Sequence, residues 1–237
     1  MKRMITKFAL VTIVVLFSNS FKSLAQATIG SEVTPGTTAG INYFCSSGGD
    51  LDFGTPADGT WVVRYSPTAT TTPGTGITLT GNKVLSAQLQ TGFYYLINVG
   101  SGAGACESEM QEIPVYKLLP INATFTAADY CIENASTTTF NGPTSTGDVK
   151  VPTFAYQWYT VSGGTETAIT GATNATYTPP NTILPGTAIT YRLKVGYSIG
   201  SLKYCSTTSA DQSITVTPKP AKPAITISGA TTGSSTF

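Results

Sequence analysis

The chain has 237 residues, of which only 11% are charged, and it contains four cysteines and no histidine. Such a chain lacks the clustered Lys and Arg by which nucleic acids are recognised, and it lacks the usual general base of nucleophilic catalysis. Aromatic and β-branched residues recur in alternating runs throughout, which a disordered Thr-rich and Ser-rich stalk would lack. We therefore predict an ordered, all-β, non-catalytic protein.

Residues 1–27 have the order of a secretory signal peptide. Basic residues come first, an apolar run of about ten residues follows, and small residues at 23, 25 and 27 would allow cleavage. The apolar run is about half as long as a membrane-spanning helix. We expect a secreted or cell-surface protein that does not insert into a membrane. Cleavage would leave nine basic against twelve acidic residues, a net charge of about −3, by removing Lys2, Arg3, Lys7 and Lys22.

A first domain is predicted over residues 28–118. Trp61 begins an alternating run that is typical of a central strand, and Tyr95 begins a second run about thirty residues later. A third run holds Ile113 and Val115 on one face. Trp61 and Tyr95 are therefore predicted to lie in the core of a β-sandwich.

A second domain is predicted over residues 119–217, because the same layout recurs. Trp158 precedes Tyr191 by 33 residues, as Trp61 precedes Tyr95 by 34. Each tyrosine opens a Tyr-x-x-x-Val-Gly string. The repeat predicts tandem immunoglobulin-like β-sandwiches, with Trp158 and Tyr191 in the core of the second.

The connections between these units are short or rich in proline. Only Leu119-Pro120 joins the two domains, so we expect a semi-rigid rod. Residues 218–223 contain three prolines, at 218, 220 and 223, which favours an extended spacer. Residues 224–237 contain one strand-like alternation, interpreted as a C-terminal strand or the start of a truncated third repeat.

The four cysteines are predicted to form disulfides, because an exported chain meets an oxidising environment and metal sites usually place cysteines closer together. Four cysteines allow three pairings. The repeat favours Cys45 with Cys106 and Cys131 with Cys205, one bond in each domain. Both Cys106 and Cys205 follow the core tyrosine of their domain by more than ten residues, so these bonds would join strand ends.

Few residues suggest a site. Tyr94 and Tyr159 fall on the strand phase opposite to the predicted core and are the candidate ligand surface, since sugars stack on exposed tyrosine rings. Residues 50–52 could supply oxygen ligands to calcium, but a turn is the simpler interpretation. Glu107 and Glu109 form a dense acidic cluster without a cleft for paired-carboxylate catalysis. No catalytic residue, metal or cofactor is predicted.

Residues 156–159, Tyr-Gln-Trp-Tyr, and the run Ile169–Pro180 resemble the Ig-like repeats of large secreted bacterial surface proteins, those of the Bacteroidota type in particular. The resemblance covers residues 119–229 well and residues 28–118 more weakly. It implies a stalk or adhesion repeat that is a monomer or part of a longer array, with a surface glycan or protein as its ligand. The alternative is a carbohydrate-binding accessory module of a secreted glycan-degrading protein.

Overall fold

The computed structural model describes residues 26–144 and 147–224. The predicted signal peptide lies almost wholly outside these ranges, and so does the predicted strand after the proline spacer. In the described part of the chain, no helix has both the length and the apolar composition that crossing a bilayer requires. The regular secondary structure of the described residues consists of β-strands, apart from one short 3-10 helix at Ile132–Thr137.

The first domain consists of a five-stranded sheet facing a two-stranded sheet. The larger sheet has the order β1-β7-β6-β3-β4, and β2 pairs with β5 in the smaller one. In the larger sheet, β1 runs parallel to its neighbour β7. Every other pair of strands in the two sheets is antiparallel. The strands are β1 Asn42–Cys45, β2 Leu51–Asp52, β3 Thr60–Ser66, β4 Thr75–Ile77, β5 Lys83–Val84, β6 Gly92–Val99 and β7 Gln111–Leu118.

The two sheets of the first domain enclose a hydrophobic core. Val63 of β3 is paired with Leu96 of β6, and their side chains point toward Leu51 and Val84 of the smaller sheet. Alternate residues of a strand point to opposite faces. The five-stranded sheet is nevertheless apolar on both faces, because residues 26–41 and the second domain cover the other one.

The second domain repeats this arrangement. Its larger sheet has the order β8-β15-β13-β10-β11, with β8 parallel to β15, and a sixth strand, β14, also pairs with β13. In its smaller sheet, β12 pairs with β9. Trp158, Tyr191 and Leu193 of the larger sheet pack on Phe140 of the smaller one. The strands are β8 Tyr130–Cys131, β9 Phe140–Asn141, β10 Phe154–Ser162, β11 Thr165–Ala168, β12 Thr176–Tyr177, β13 Ala188–Ile199, β14 Leu202–Thr208 and β15 Gln212–Thr217.

The second domain has an irregularity in the pairing of its longest strand. This strand, β13, pairs with β14 at its carboxyl end and with β15 at its amino end. The register shifts between Val195 and Tyr197, which leaves Cys205 in a left-handed conformation with φ of 52°. Such a bulge bends the strand and redirects a side chain. Here it lies on the part of the hairpin that approaches the first domain.

Candidate functional site: the junction between the domains

The two domains meet through a shared group of buried residues that we call the junction cluster. Most of its members lie on the outer face of the first domain's larger sheet or on the segment that covers that face. Two members, Val151 and Tyr197, belong to the second domain, and both are at most 2% exposed. The first-domain members are Val33, Ala69, Phe93, Tyr95, Tyr116 and Leu118.

Polar contacts surround the junction cluster. The Tyr116 hydroxyl lies 2.9 and 2.8 Å from the two carboxylate oxygens of Asp148, which is itself only 8% exposed. Burial raises the pKa of Tyr116 well above its usual range, and the hydrogen bond to the Asp148 carboxylate adds to this. The Tyr197 hydroxyl donates to the carbonyl of Leu119 at 3.0 Å. Because the Tyr116–Asp148 contact joins the first domain to the second, it restricts how one domain can turn on the other.

A disulfide joins the domains covalently. Cys45 and Cys205 are bonded, with their Cα atoms 5.3 Å apart and a sequence separation of 160 positions. Beside this bond, the rings of Tyr43 and Tyr204 pack with centroids 4.6 Å apart. Cys106 and Cys131 are free thiols. The predicted pairing of Cys45 with Cys106 and of Cys131 with Cys205 is therefore wrong.

The strand layout explains why the predicted pairs do not form. Cys45 lies beside Leu118 at the carboxyl end of β7, whereas Cys106 precedes the amino end of β7. An eight-residue strand is roughly 25 Å long, and a disulfide needs Cα atoms within about 7 Å. Cys131 and Cys205 are separated in the same way along β13. In each domain the two cysteines lie at opposite ends of the sandwich.

Tyr94, one of the two predicted surface tyrosines, is completely buried, so its assignment to a ligand surface is wrong. Its hydroxyl accepts from the Gln90 backbone N–H at 2.8 Å and lies 3.3 Å from the Gln90 carbonyl. This is the tyrosine corner of immunoglobulin-type sandwiches, in which a tyrosine near the start of a central strand bonds back to the preceding backbone. Tyr94 packs in the first domain's core, between its two sheets.

Tyr95 is buried too, but not in the core between the sheets, where the sequence pattern placed it. It belongs to the junction cluster on the opposite face. Its hydroxyl accepts from the Thr70 N–H at 2.8 Å and lies 3.3 Å from Glu112. Burial raises the pKa of Tyr95. This tyrosine therefore holds residues that cover the outer face of the sheet.

The two tryptophans differ in environment. Trp158 is completely buried and its indole donates to the Asn174 carbonyl at 2.9 Å. Trp61 is half-buried at the edge of the first domain's core, and its indole donates to the Gly54 carbonyl. The central position is taken instead by Val63, which is 1% exposed. Trp61 lies near the start of β3 at one end of the sandwich, so the second sheet covers it only in part.

The other predicted surface residue, Tyr159, is half-buried on the outer face of the second domain's larger sheet. It lines a shallow groove of 340 Å³ together with Gln157, Lys194 and Lys203. The amide of Gln157 is engaged with the backbone carbonyls of Trp158 and Ile169. Tyr159 and Tyr156 are the two aromatic residues that line this groove.

The acidic candidates are occupied with local structure. Asp50 accepts from the Ser86 N–H, and Asp52 accepts from the Gly54 N–H and pairs with Lys83. Glu107 and Glu109 are exposed in the hairpin between β6 and β7. Within residues 26–144 and 147–224, no group of three or more His, Cys, Asp or Glu side chains is arranged to hold a metal ion.

Comparison with known proteins gives a distant structural likeness. No protein-family model matches the chain, and no curated protein matches it. Among solved structures, the chain is similar to the fibronectin(III)-like modules of CbhA from Clostridium thermocellum. The identity is 11% over 84% of this chain and 99% of that one, with a TM-score of 0.30.

Proposed function

We propose that this chain is a non-catalytic extracellular module that forms a rigid two-domain segment of a surface stalk or adhesion protein. The observation that carries the proposal is the Cys45–Cys205 bond, which ties the two sandwiches to each other. Disulfides persist in oxidising compartments, so the bond also supports export. A bond between domains serves little purpose in an independent binding domain, whereas a structural segment gains stiffness from it.

The position of the bond gives it a mechanical consequence. A force applied through the two ends of the described chain enters along β1, which ends at Cys45. It then crosses to Cys205 and leaves through β15. The residues between 45 and 205, which include most of the core residues of both sandwiches, lie outside this path. The covalent connection would therefore carry the load past the residues inside the loop, which stay folded.

The junction contacts add stiffness to this connection. The junction cluster excludes water from residues of both domains, and the Tyr116–Asp148 contact is buried with it. On the surface, Lys150 of the second domain pairs with Glu32 of the first at 2.6 Å. An exposed pair of this kind contributes little to stability. The buried contacts are the ones that hold the relative orientation of the domains.

Single-molecule force spectroscopy tests the proposal. The oxidised chain, pulled through its ends, should extend only through residues outside the disulfide loop. After reduction, the same pull should release the loop between the two cysteines, which are 160 positions apart, and so add on the order of 550 Å of length at about 3.5 Å per residue.

The matched control is the Cys205→Ser variant. Without any reductant, it should show the long extension that the parent chain shows only when reduced. If the oxidised parent chain releases the full length under low force, or if reduction changes nothing, the stalk proposal fails.

A second candidate function is glycan binding at the groove that contains Tyr159. The half-buried ring and two lysines in a shallow groove favour it. Sugar rings stack on aromatic faces, so Tyr159→Ala should abolish saturable binding on a glycan array, while Tyr159→Phe should retain it. Equal binding by the alanine variant and the parent chain would contradict this function.

A further inference from the structure

The two free thiols, Cys106 and Cys131, lie at positions that correspond to those of the bonded cysteines in the other domain. Cys45 is the last residue of β1 and lies beside Leu118, the last residue of β7, in a parallel pair. Cys131 is the last residue of β8 and lies beside Thr217, the last residue of β15, also in a parallel pair. Cys131 is therefore the second domain's counterpart of Cys45.

Cys106 is likewise the first domain's counterpart of Cys205. Cys205 lies in the second arm of the hairpin that follows β13, next to Tyr204, which pairs with Tyr197. Cys106 lies in the second arm of the hairpin that follows β6. Its carbonyl accepts from the Gly100 N–H, and the next residue, Glu107, bridges to Val99. Each domain thus has one cysteine on its first strand and one on this hairpin.

The bond that is present shows how these two positions are used. The first-strand cysteine of the first domain bonds the hairpin cysteine of the domain that follows it. Cys131 presents the same group at the far end of the second domain, where the chain leaves β15. Cys106 presents the complementary group at the far end of the first domain and is exposed. Cys131 and Cys106, which correspond to the two cysteines of that bond, therefore lie at opposite ends of the described two-domain structure.

We propose that Cys131 of one copy forms a disulfide with Cys106 of a second copy, so that copies join head to tail. We expect Cys131 to react in this way because its counterpart in the first domain, Cys45, forms the same type of bond within the chain. The two surfaces in such a contact differ. A copy that has formed one bond therefore still has one free cysteine, and the assembly extends as a filament instead of closing as a symmetric dimer. The inference rests on the proposed rigid two-domain segment.

The chemistry requires an oxidant, for which we name a small-molecule disulfide such as oxidised glutathione. The thiolate of one cysteine attacks a sulfur of the oxidant, forms a mixed disulfide and releases one reduced thiol. The cysteine of the second copy then attacks the protein sulfur of that mixed disulfide and releases the second reduced thiol. Two protein thiols lose two protons and two electrons in total, and the oxidant takes them up.

The experiment incubates the purified chain in a glutathione redox buffer and separates it on a non-reducing gel. We expect a ladder of multiples of the chain mass, and mass mapping should find a peptide that joins Cys131 to Cys106. The Cys131→Ser and Cys106→Ser variants should each lose the ladder. An equal mixture of the two variants should give a dimer and nothing longer. One variant keeps only the Cys106 thiol and the other only the Cys131 thiol, so a single bond uses both.

A count of one reactive thiol in each variant, with the Cys45–Cys205 peptide intact, shows that both variants are folded. Bonds of Cys106 to Cys106 or of Cys131 to Cys131 would overturn the inference, and so would a parent chain that stays monomeric with two reactive thiols. Any of these results leaves the force-spectroscopy test of the proposed function untouched, because that test depends on Cys45 and Cys205 alone.

Discussion

Cys45 ends the first strand of one domain and is bonded to Cys205 in a hairpin strand of the other, so a single covalent bond closes a loop that contains most of both sandwiches. A crosslink over a loop of this length stabilises the fold mainly by restricting the unfolded chain. Cys205→Ser should lower the free energy of unfolding by about 5 kcal/mol. Urea denaturation without reductant measures this difference.

The control for the cysteine prediction is Cys106→Ser. Cys106 is exposed and its thiol is free, so its replacement should change the free energy of unfolding by less than about 0.5 kcal/mol. If Cys106→Ser destabilised the chain as much as Cys205→Ser, the bond would involve Cys106 instead, as the repeat alone suggested.

The junction can be tested by Tyr116→Phe. This change deletes the hydroxyl that lies between the two Asp148 oxygens, 2.9 and 2.8 Å away, at a buried site. Loss of a buried hydrogen bond to a charged partner should cost about 1–3 kcal/mol of unfolding free energy. Chemical denaturation of the oxidised chain provides the measurement.

Tyr65→Phe is a suitable comparison for the junction variant. The Tyr65 hydroxyl donates to the Thr91 carbonyl at 2.7 Å within the first domain, so its loss should not affect the contact between domains. In small-angle X-ray scattering, the distribution of interatomic distances should therefore broaden for Tyr116→Phe and stay unchanged for Tyr65→Phe. Identical profiles for both variants would mean that Tyr116 does not hold the domain orientation.

The sequence pattern predicted the strands and the sandwich class correctly, but it placed Tyr94 and Tyr95 on the wrong faces. The two Trp-to-Tyr spacings, 34 and 33, were treated as equivalent. A difference of one residue reverses the face of every side chain in a strand. Trp61 lies opposite Asn98, so even-numbered residues of β6 share its face, whereas Trp158 lies opposite Leu193. Tyr94 therefore enters the core.

The burial of Tyr95 could not be predicted from its own strand. Alternation assumes that one face of a sheet is exposed to water, but the first domain's larger sheet is covered on both faces. Residues 26–41 and the second domain supply the second cover. Contacts of this kind depend on segments far apart in sequence, and the same is true of the Cys45–Cys205 pairing. A repeat in the sequence suggests one bond within each domain and gives no sign of a bond between the two domains.

The tryptophans allow a spectroscopic test of their different burial. Trp158 is completely buried, whereas Trp61 is half-buried. We expect Trp61→Phe to leave a chain with blue-shifted emission that acrylamide quenches poorly. Trp158→Phe should leave emission that is redder and readily quenched. It should also destabilise the chain more, because Trp158 fills the centre of the second domain's core. Equal quenching in the two variants would contradict this assignment.

Tyr94 makes stability depend on alkaline pH. Burial raises the pKa of Tyr94 from 10.0 to about 12, although its hydrogen bond with the Gln90 backbone opposes the shift. The unfolded chain loses this proton near pH 10 and the folded chain only near pH 12, so the contribution is complete below pH 10 and is lost as pH rises through this window. Tyr94→Phe should be less stable at pH 8 by about 1 kcal/mol, because the hydrogen bond is lost. The difference from the parent chain should narrow between pH 10 and 12, as measured by urea denaturation at each pH. A gap between Tyr94→Phe and the parent chain that stays constant from pH 8 to 12 would mean that Tyr94 titrates normally.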